Sequence, residues 1–196
     1  MIVEFKIKNF RSYKEETTFT FEALNEDFKN ENYTIVELEN EERIKLLKSA
    51  AIFGANASGK SNIIWAFQAL SFLVAQSRNF DARTLIPVYT PFMMDETTRN
   101  SPTEFTIDFI IKKIRYRYTI HFDYIIRLEK LDIIEKGKEI CVFKMDGETN
   151  PEKRPLTFEE GYKSETLDMS NMQMLPNQLV LSGIGIKPDN GLLEVY

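Results

Sequence analysis

Eight consecutive residues, Gly54-Ala55-Asn56-Ala57-Ser58-Gly59-Lys60-Ser61, set two glycines, a lysine and a hydroxyl at the spacing of a phosphate-binding loop. Gly54 and Gly59 let the backbone curl without side-chain obstruction, so that successive N–H groups and the N-terminus of a following helix face an anion. Lys60 offers a mobile ammonium to β- and γ-phosphate oxygens, and the Ser61 hydroxyl is placed to coordinate Mg²⁺. The ligand implied is a nucleoside triphosphate with its metal. These groups bind and do not cleave. Cleavage also needs an acid near the metal, a group that positions water and a further positive or dipolar group for the developing charge. Asp108 and Asp123 are the acids considered, but both fall on alternating strands and neither ends a fully buried apolar run. The catalytic residues stay unassigned.

The elements that must position this loop can be read on either side of it. Residues 49–53, Ser-Ala-Ala-Ile-Phe, form a short and almost wholly apolar run, as expected of a central strand covered on both sides. After the loop, Ile63, Phe67, Leu70 and Val74 recur at helical spacing, so an amphipathic helix of about four turns is expected over residues 61–77. The order is strand, glycine loop, helix. Upstream, Val3, Phe5 and Ile7 alternate with Glu4, Lys6 and Lys8 as a half-buried strand does, and residues 17–21 look like its partner. A loop over 25–32 then precedes a strand over 33–38.

Downstream the period changes to two. Phe105, Ile107 and Phe109 alternate with polar neighbours, and Ile114, Tyr116, Tyr118, Ile120, Phe122, Tyr124 and Ile126 hold one face for thirteen residues, with Lys112-Lys113 as the turn between. A strand over 139–145 ends at the turn pair Asp146-Gly147, a surface loop is expected over 150–164, and Pro188-Asp189-Asn190 resembles a helix start. The fold class is α/β: a P-loop NTPase with a substantial antiparallel β-meander. Its division is a P-loop lobe over about 1–90, the meander over about 100–150, and a loop with the start of another element over 151–196.

Composition narrows the setting. Of 196 residues, 43% are apolar, enough for a real core. One cysteine, Cys141, and one histidine, His121, exclude an internal disulfide and a Cys/His metal cluster, which points to a reducing, cytoplasmic setting. No basic-then-apolar leader opens the chain, and its most apolar stretch, 63–75, is too short to span a bilayer, so no membrane role is expected. The net charge of −5 argues against a surface that wraps nucleic acid. Lys112, Lys113, Arg115 and Arg117 read as the solvated face of a strand.

Ile7-Lys8-Asn9-Phe10-Arg11-Ser12-Tyr13, together with residues 54–61 and Asn62, resembles the RecF/SMC/OLD-like branch of ABC-type ATPases. Thr90-Pro91-Phe92, Ser101-Pro102-Thr103-Glu104-Phe105, Tyr116-Arg117-Tyr118 and Glu129-Lys130-Leu131 resemble the RloA-type, AAA_15-like members, which are associated with restriction and abortive-infection loci. The resemblance covers the front half of such a protein, an ABC-type N-terminal lobe. The signature helix, Walker B strand and switch histidine of the family come later. It implies ATP and Mg²⁺ as ligands and Asn9 to Tyr13 near the base or ribose, with Arg11 the side chain placed to reach the nucleotide. It further implies a homodimer or a complementary ATPase half that sandwiches ATP, a nuclease or other effector, and DNA only through the complete assembly. No Q-loop residue can be placed, since Gln68 falls inside the helix and Gln76 at its end. Leu181-Ser182-Gly183-Ile184-Gly185 resembles the ABC signature but reads instead as a loop between two elements, because Ile186-Lys187-Pro188-Asp189 follows.

Two other classes share the phosphate loop. A small P-loop GTPase or kinase begins in the same way, but there is no Asn-Lys-x-Asp guanine reader and no Arg-rich lid after the helix. A non-catalytic ATP-dependent scaffold, either a truncated fragment or a natural half-protein completed by another chain, is the second alternative. For this chain alone the expectation is ATP binding without turnover.

Overall fold

The alternation at the start of the chain builds β1 (Ile2–Lys8), whose Val3, Phe5 and Ile7 are fully buried. The computed structural model describes residues 1–24, 30–148, 154–158 and 174–184. β2 (Thr17–Thr20) pairs with β1, and β3 (Tyr33–Glu37) forms a separate hairpin with β4 (Arg43–Leu47). The glycine loop leads into α1 (Lys60–Gln76), followed by a 3₁₀ turn over Ser77–Asn79. Then come β5 (Thr103–Ile111), β6 (Ile114–Phe122), β7 (Ile126–Glu135), β8 (Lys138–Asp146), β9 (Leu156–Phe158) and the short α2 (Val180–Ile184).

Among the described residues, seven strands form one antiparallel sheet in the order β2-β1-β5-β6-β7-β8-β9. The opening strands thus lie in the same sheet as the meander. Lys112 and Lys113, both left-handed, make the expected turn between β5 and β6. One face of the sheet carries Phe5, Ile7, Phe105, Tyr118, Ile120 and Phe122, and α1 lays Ile63, Ala66, Leu70 and Leu73 into the same core. Phe67 stacks on Phe5 with ring centroids 4.4 Å apart. Each large apolar side chain removed from water here contributes about 1.5–3 kcal/mol, which anchors the helix that follows the glycine loop.

Four expectations do not hold. Residues 49–53 are not a buried central strand: they are exposed and irregular, Phe53 at 90% exposure, because no described strand pairs with them and no layer covers them. The run from Ile114 to Ile126 is not one strand. It breaks after Phe122, where Asp123 accepts from Ile125 N–H (3.0 Å) and Arg127 Nε (2.8 Å), so Tyr124 is exposed and Ile126 starts β7. Residues 181–184 are helical rather than a loop, and Gly185 lies outside the described residues, as does the expected helix start at 188–190. Within the loop expected over 150–164, Leu156–Phe158 pairs with β8 as β9.

Glu129 explains why residues 180–184 are helical. Its carboxylate, wholly buried on β7, accepts from Val180 N–H (2.6 Å), Leu181 N–H (2.9 Å) and the Tyr118 hydroxyl (2.8 Å), which satisfies the first turn of α2. Ser77 Oγ accepts from Leu179 N–H, and Gln178 donates to the carbonyls of Arg78 and Phe80. The end of α1 is therefore tied through α2 to β7. Burial pushes the Glu129 carboxyl up to about 7, against the opposing pull of Leu181 and Val180 N–H, the Tyr118 hydroxyl and the charge of Arg154. Because the folded value exceeds the unfolded one, Glu129 favours the folded state most below about pH 4.5, and this contribution is lost as pH rises through about 7. Thermal unfolding from pH 5 to 8 should therefore show the parent losing stability relative to Glu129→Gln, on the order of a few kcal/mol across the range. Parallel profiles would contradict the assignment.

Candidate functional site

α1 begins at Lys60, and its N-cap, Gly59, is left-handed (φ 90°) with no side-chain cap and no acidic residue in the first turn. The N-terminus of this 17-residue helix is thus left to the glycine loop, and its dipole presents partial positive charge there. Ala57 is also left-handed (φ 63°), so the loop curls tightly between Gly54 and Gly59. A Cβ on Gly54 would meet Ser58 Oγ at 2.9 Å, and one on Gly59 would lie 2.4 Å from Ser12 Oγ. The loop from Gly54 to Ser58 is exposed, as is Ser61. Lys60 Nζ donates to two carbonyls of its own loop, Gly54 (2.9 Å) and Ala55 (2.6 Å), and so arches over the curl that a phosphate would enter.

The turn after β1 is clamped against this loop. Phe10 and Tyr13 exchange backbone hydrogen bonds of 2.9 Å, putting Arg11 and Ser12 at the tip, and Arg11 takes a left-handed φ of 51°. Tyr13 donates its hydroxyl to Gly59 O (3.1 Å), while Asn62 donates its side-chain amide to Ser12 Oγ (2.8 Å). Asn62 therefore joins the two loops. Arg11 N–H donates to Thr90 O (2.7 Å), and its guanidinium lies over the ring of Trp65, 4.8 Å from the centroid.

Asn9 holds the turn from below. Nearly buried, it donates to the carbonyls of Thr98 (2.9 Å), Ser101 (2.8 Å) and Pro102 (3.1 Å), accepts from Phe92 N–H (2.9 Å), and receives Thr103 Oγ1 on its own carbonyl (2.8 Å). The segments 90–92 and 101–105, singled out in the sequence, thus meet the segment 9–13 in space.

The two aspartates considered as acids are occupied. Asp108, on the sheet face away from α1, is buried and accepts from Arg115 and Arg117 at 2.7–3.2 Å, and Arg117 also reaches Glu139 at 2.6 Å. The basic cluster on β6 is accordingly neutralised by its neighbours. Asp123 is held by Arg127. Gln68 and Gln76 line an open groove of about 540 Å³ along α1 with Ile64, Phe67 and Phe72. Among the described residues no group of three or more His, Cys, Asp or Glu side chains could hold a metal ion. No described helix is long and apolar enough to cross a membrane.

Trp65 and the Tyr13 clamp were not anticipated as parts of the site. Tyr13 lay inside the quoted motif, but the contact of Trp65 with Arg11 has no local signal.

A glycine curl opening an uncapped helix, with a lysine and a hydroxyl at its first two positions, defines a P-loop nucleotide-binding protein. The chain belongs to the AAA_21 family, described as AAA domain, putative AbiEii toxin, type IV toxin–antitoxin system, whose model matches residues 49–166, more than half of its length. It is thus a member of a P-loop ATPase family, which generally uses ATP and Mg²⁺. A comparison with curated proteins finds no match.

Proposed function

We propose that the chain binds Mg-ATP through residues 54–61, as the N-terminal part of one ABC-type ATPase domain of the RecF/SMC-like branch. The observation that carries this reading is the uncapped N-terminus of α1 opening into a glycine loop that Ser12 and Tyr13 brace. Backbone N–H groups from Gly54 to Gly59 receive the α- and β-phosphates, Lys60 leaves its two carbonyls for the β- and γ-oxygens, and Ser61 ligates Mg²⁺. Ala55, Asn56, Ala57 and Ser58 shape the curl, Asn62 holds it to the Ser12 turn, and Arg11 faces the nucleoside side.

The family description supports a toxin–antitoxin setting, and the sequence resemblance an anti-phage, restriction-associated or DNA-repair-like system of bacteria or archaea. In that setting a homodimer or complementary ATPase half completes the nucleotide site, and a nuclease effector and DNA enter only through the assembly. The scaffold reading shares the same nucleotide site and differs only in having no turnover.

The chain by itself should bind Mg-ATP and hydrolyse it at background rate. A phosphate cradle stabilises ground and transition states alike, which does little for the chemical step; Asp108 has both oxygens held by arginines, and Asp123 accepts from Arg127 and from Ile125 N–H. Lacking one transition-state donor typically costs about 10²–10³-fold. Calorimetric titration with Mg-ATP and a phosphate-release assay on the same preparation test this. No binding would refute the nucleotide site, and release that disappears in Lys60→Ala would refute the absence of turnover.

A further inference from the structure

We infer that Trp65 is the nucleobase platform of this site: the base stacks on the exposed half of the indole, whose position Arg11 fixes from the other side. The inference rests on the reading of residues 54–61 as the phosphate loop.

Trp65 is the sole tryptophan of the chain and stands five residues after Lys60, about 7.5 Å further along α1. The ribose and glycosidic bond of a nucleotide bridge that distance. The indole is 48% exposed although the Arg11 guanidinium lies over it, so an aromatic surface remains open. Its orientation is not left to chance. Arg11 sits at the tip of a turn fixed to the phosphate loop by Tyr13 and Ser12, to Thr90 by its own N–H, and to Asn9 beneath. A guanidinium held on one face of an indole restricts its rotamers, which lowers the entropy lost when a base takes the other side.

Trp65 also stands apart from the remaining apolar surface of α1. The groove lined by Ile64, Phe67, Gln68 and Phe72 does not include it. The tryptophan faces the turn that bears Arg11, and that turn is braced against the phosphate loop. Stacking tolerates any base but rewards the larger ring system, so purine nucleotides are expected to bind more tightly than pyrimidine nucleotides, with little distinction between ATP and GTP.

Inorganic tripolyphosphate, which lacks a base, separates this inference from the phosphate loop itself. Titrating the parent chain with Mg-ATP should change the Trp65 emission, whereas saturating Mg-tripolyphosphate should leave it nearly constant. By calorimetry, Trp65→Ala should weaken Mg-ATP about tenfold and leave tripolyphosphate unchanged, with Trp65→Phe recovering most of the loss. Undiminished ATP affinity in Trp65→Ala would overturn the inference while leaving the phosphate loop standing. Equal losses for both ligands would also overturn it, by showing that Trp65 only supports the fold. Failure of the parent to bind either ligand would remove the phosphate loop reading and this inference together.

Discussion

Lys60→Ala is expected to weaken Mg-ATP binding at least about 100-fold while leaving thermal unfolding within a degree or so of the parent. The Lys60 ammonium touches only the carbonyls of Gly54 and Ala55, at the surface of the loop, and no core residue depends on it. Surface substitutions of this kind usually change stability by no more than about 0.5 kcal/mol. In the complex the same ammonium meets β- and γ-oxygens, where charge-assisted hydrogen bonds are worth about 1.5–3 kcal/mol each. Two such bonds account for the predicted loss. Calorimetry and a thermal melt on the same samples check both halves of the statement. Unchanged affinity would mean that the glycine loop is not where phosphate binds.

The second large effect is expected from Gly59→Ala, which should abolish detectable nucleotide binding and lower the melting temperature. Gly59 holds φ at +90°, a conformation that costs an alanine about 1–3 kcal/mol. The new Cβ would also lie 2.4 Å from Ser12 Oγ and 3.3 Å from Ser12 Cβ, and the serine cannot rotate away without giving up its hydrogen bond from Asn62. The loop must shift, and with it the N–H groups at the start of α1. A Ser12→Gly change in the same molecule removes the clash but not the strained φ. It should therefore restore part of the stability and little of the binding. Full recovery of both in the double variant would show that steric conflict alone sets the requirement for glycine.

Most of what these substitutions probe could be read from the chain, because a phosphate loop is a local device. Its residue types follow from backbone needs within eight consecutive positions, and the amphipathic spacing of Ile63, Phe67, Leu70 and Val74 marks the helix behind it. The alternation in β1, β5 and β6 was legible for the same reason: one face of each is buried, and burial imposes period two. β7 was not recognised, since its buried residues include Glu129 on the core face and Asp132 on the opposite one, and carboxylates read as surface. Glu129 can be buried only because α2, some fifty residues later, brings N–H groups to it. Residues 49–53 failed in the opposite sense. Their apolarity predicted cover, but cover is supplied by other strands, and none of the described ones comes near enough to pair. At the site, the contacts among Asn9, Arg11, Thr90 and Trp65 join distant segments, and no local pattern announces them.

The place of β1 in the sheet has a kinetic consequence. It lies between β2 and β5, with Phe5 opposite Ile107, so that half of its hydrogen bonds close a loop of roughly 100 residues, at an entropic cost of about 3 kcal/mol above that of a minimal turn. The hairpins from β5 to β8 close over short turns and can form within microseconds. They offer an edge on which β1 docks afterwards. Arg11, Ser12 and Tyr13 follow β1 directly, and their contacts with Gly59, Asn62 and Trp65 form only once that strand is seated. A strand that precedes β5 to β8 in the chain is then placed after them, and the nucleotide pocket is completed only when it is seated. Nucleotide binding consequently reports on a finished sheet rather than on the loop alone.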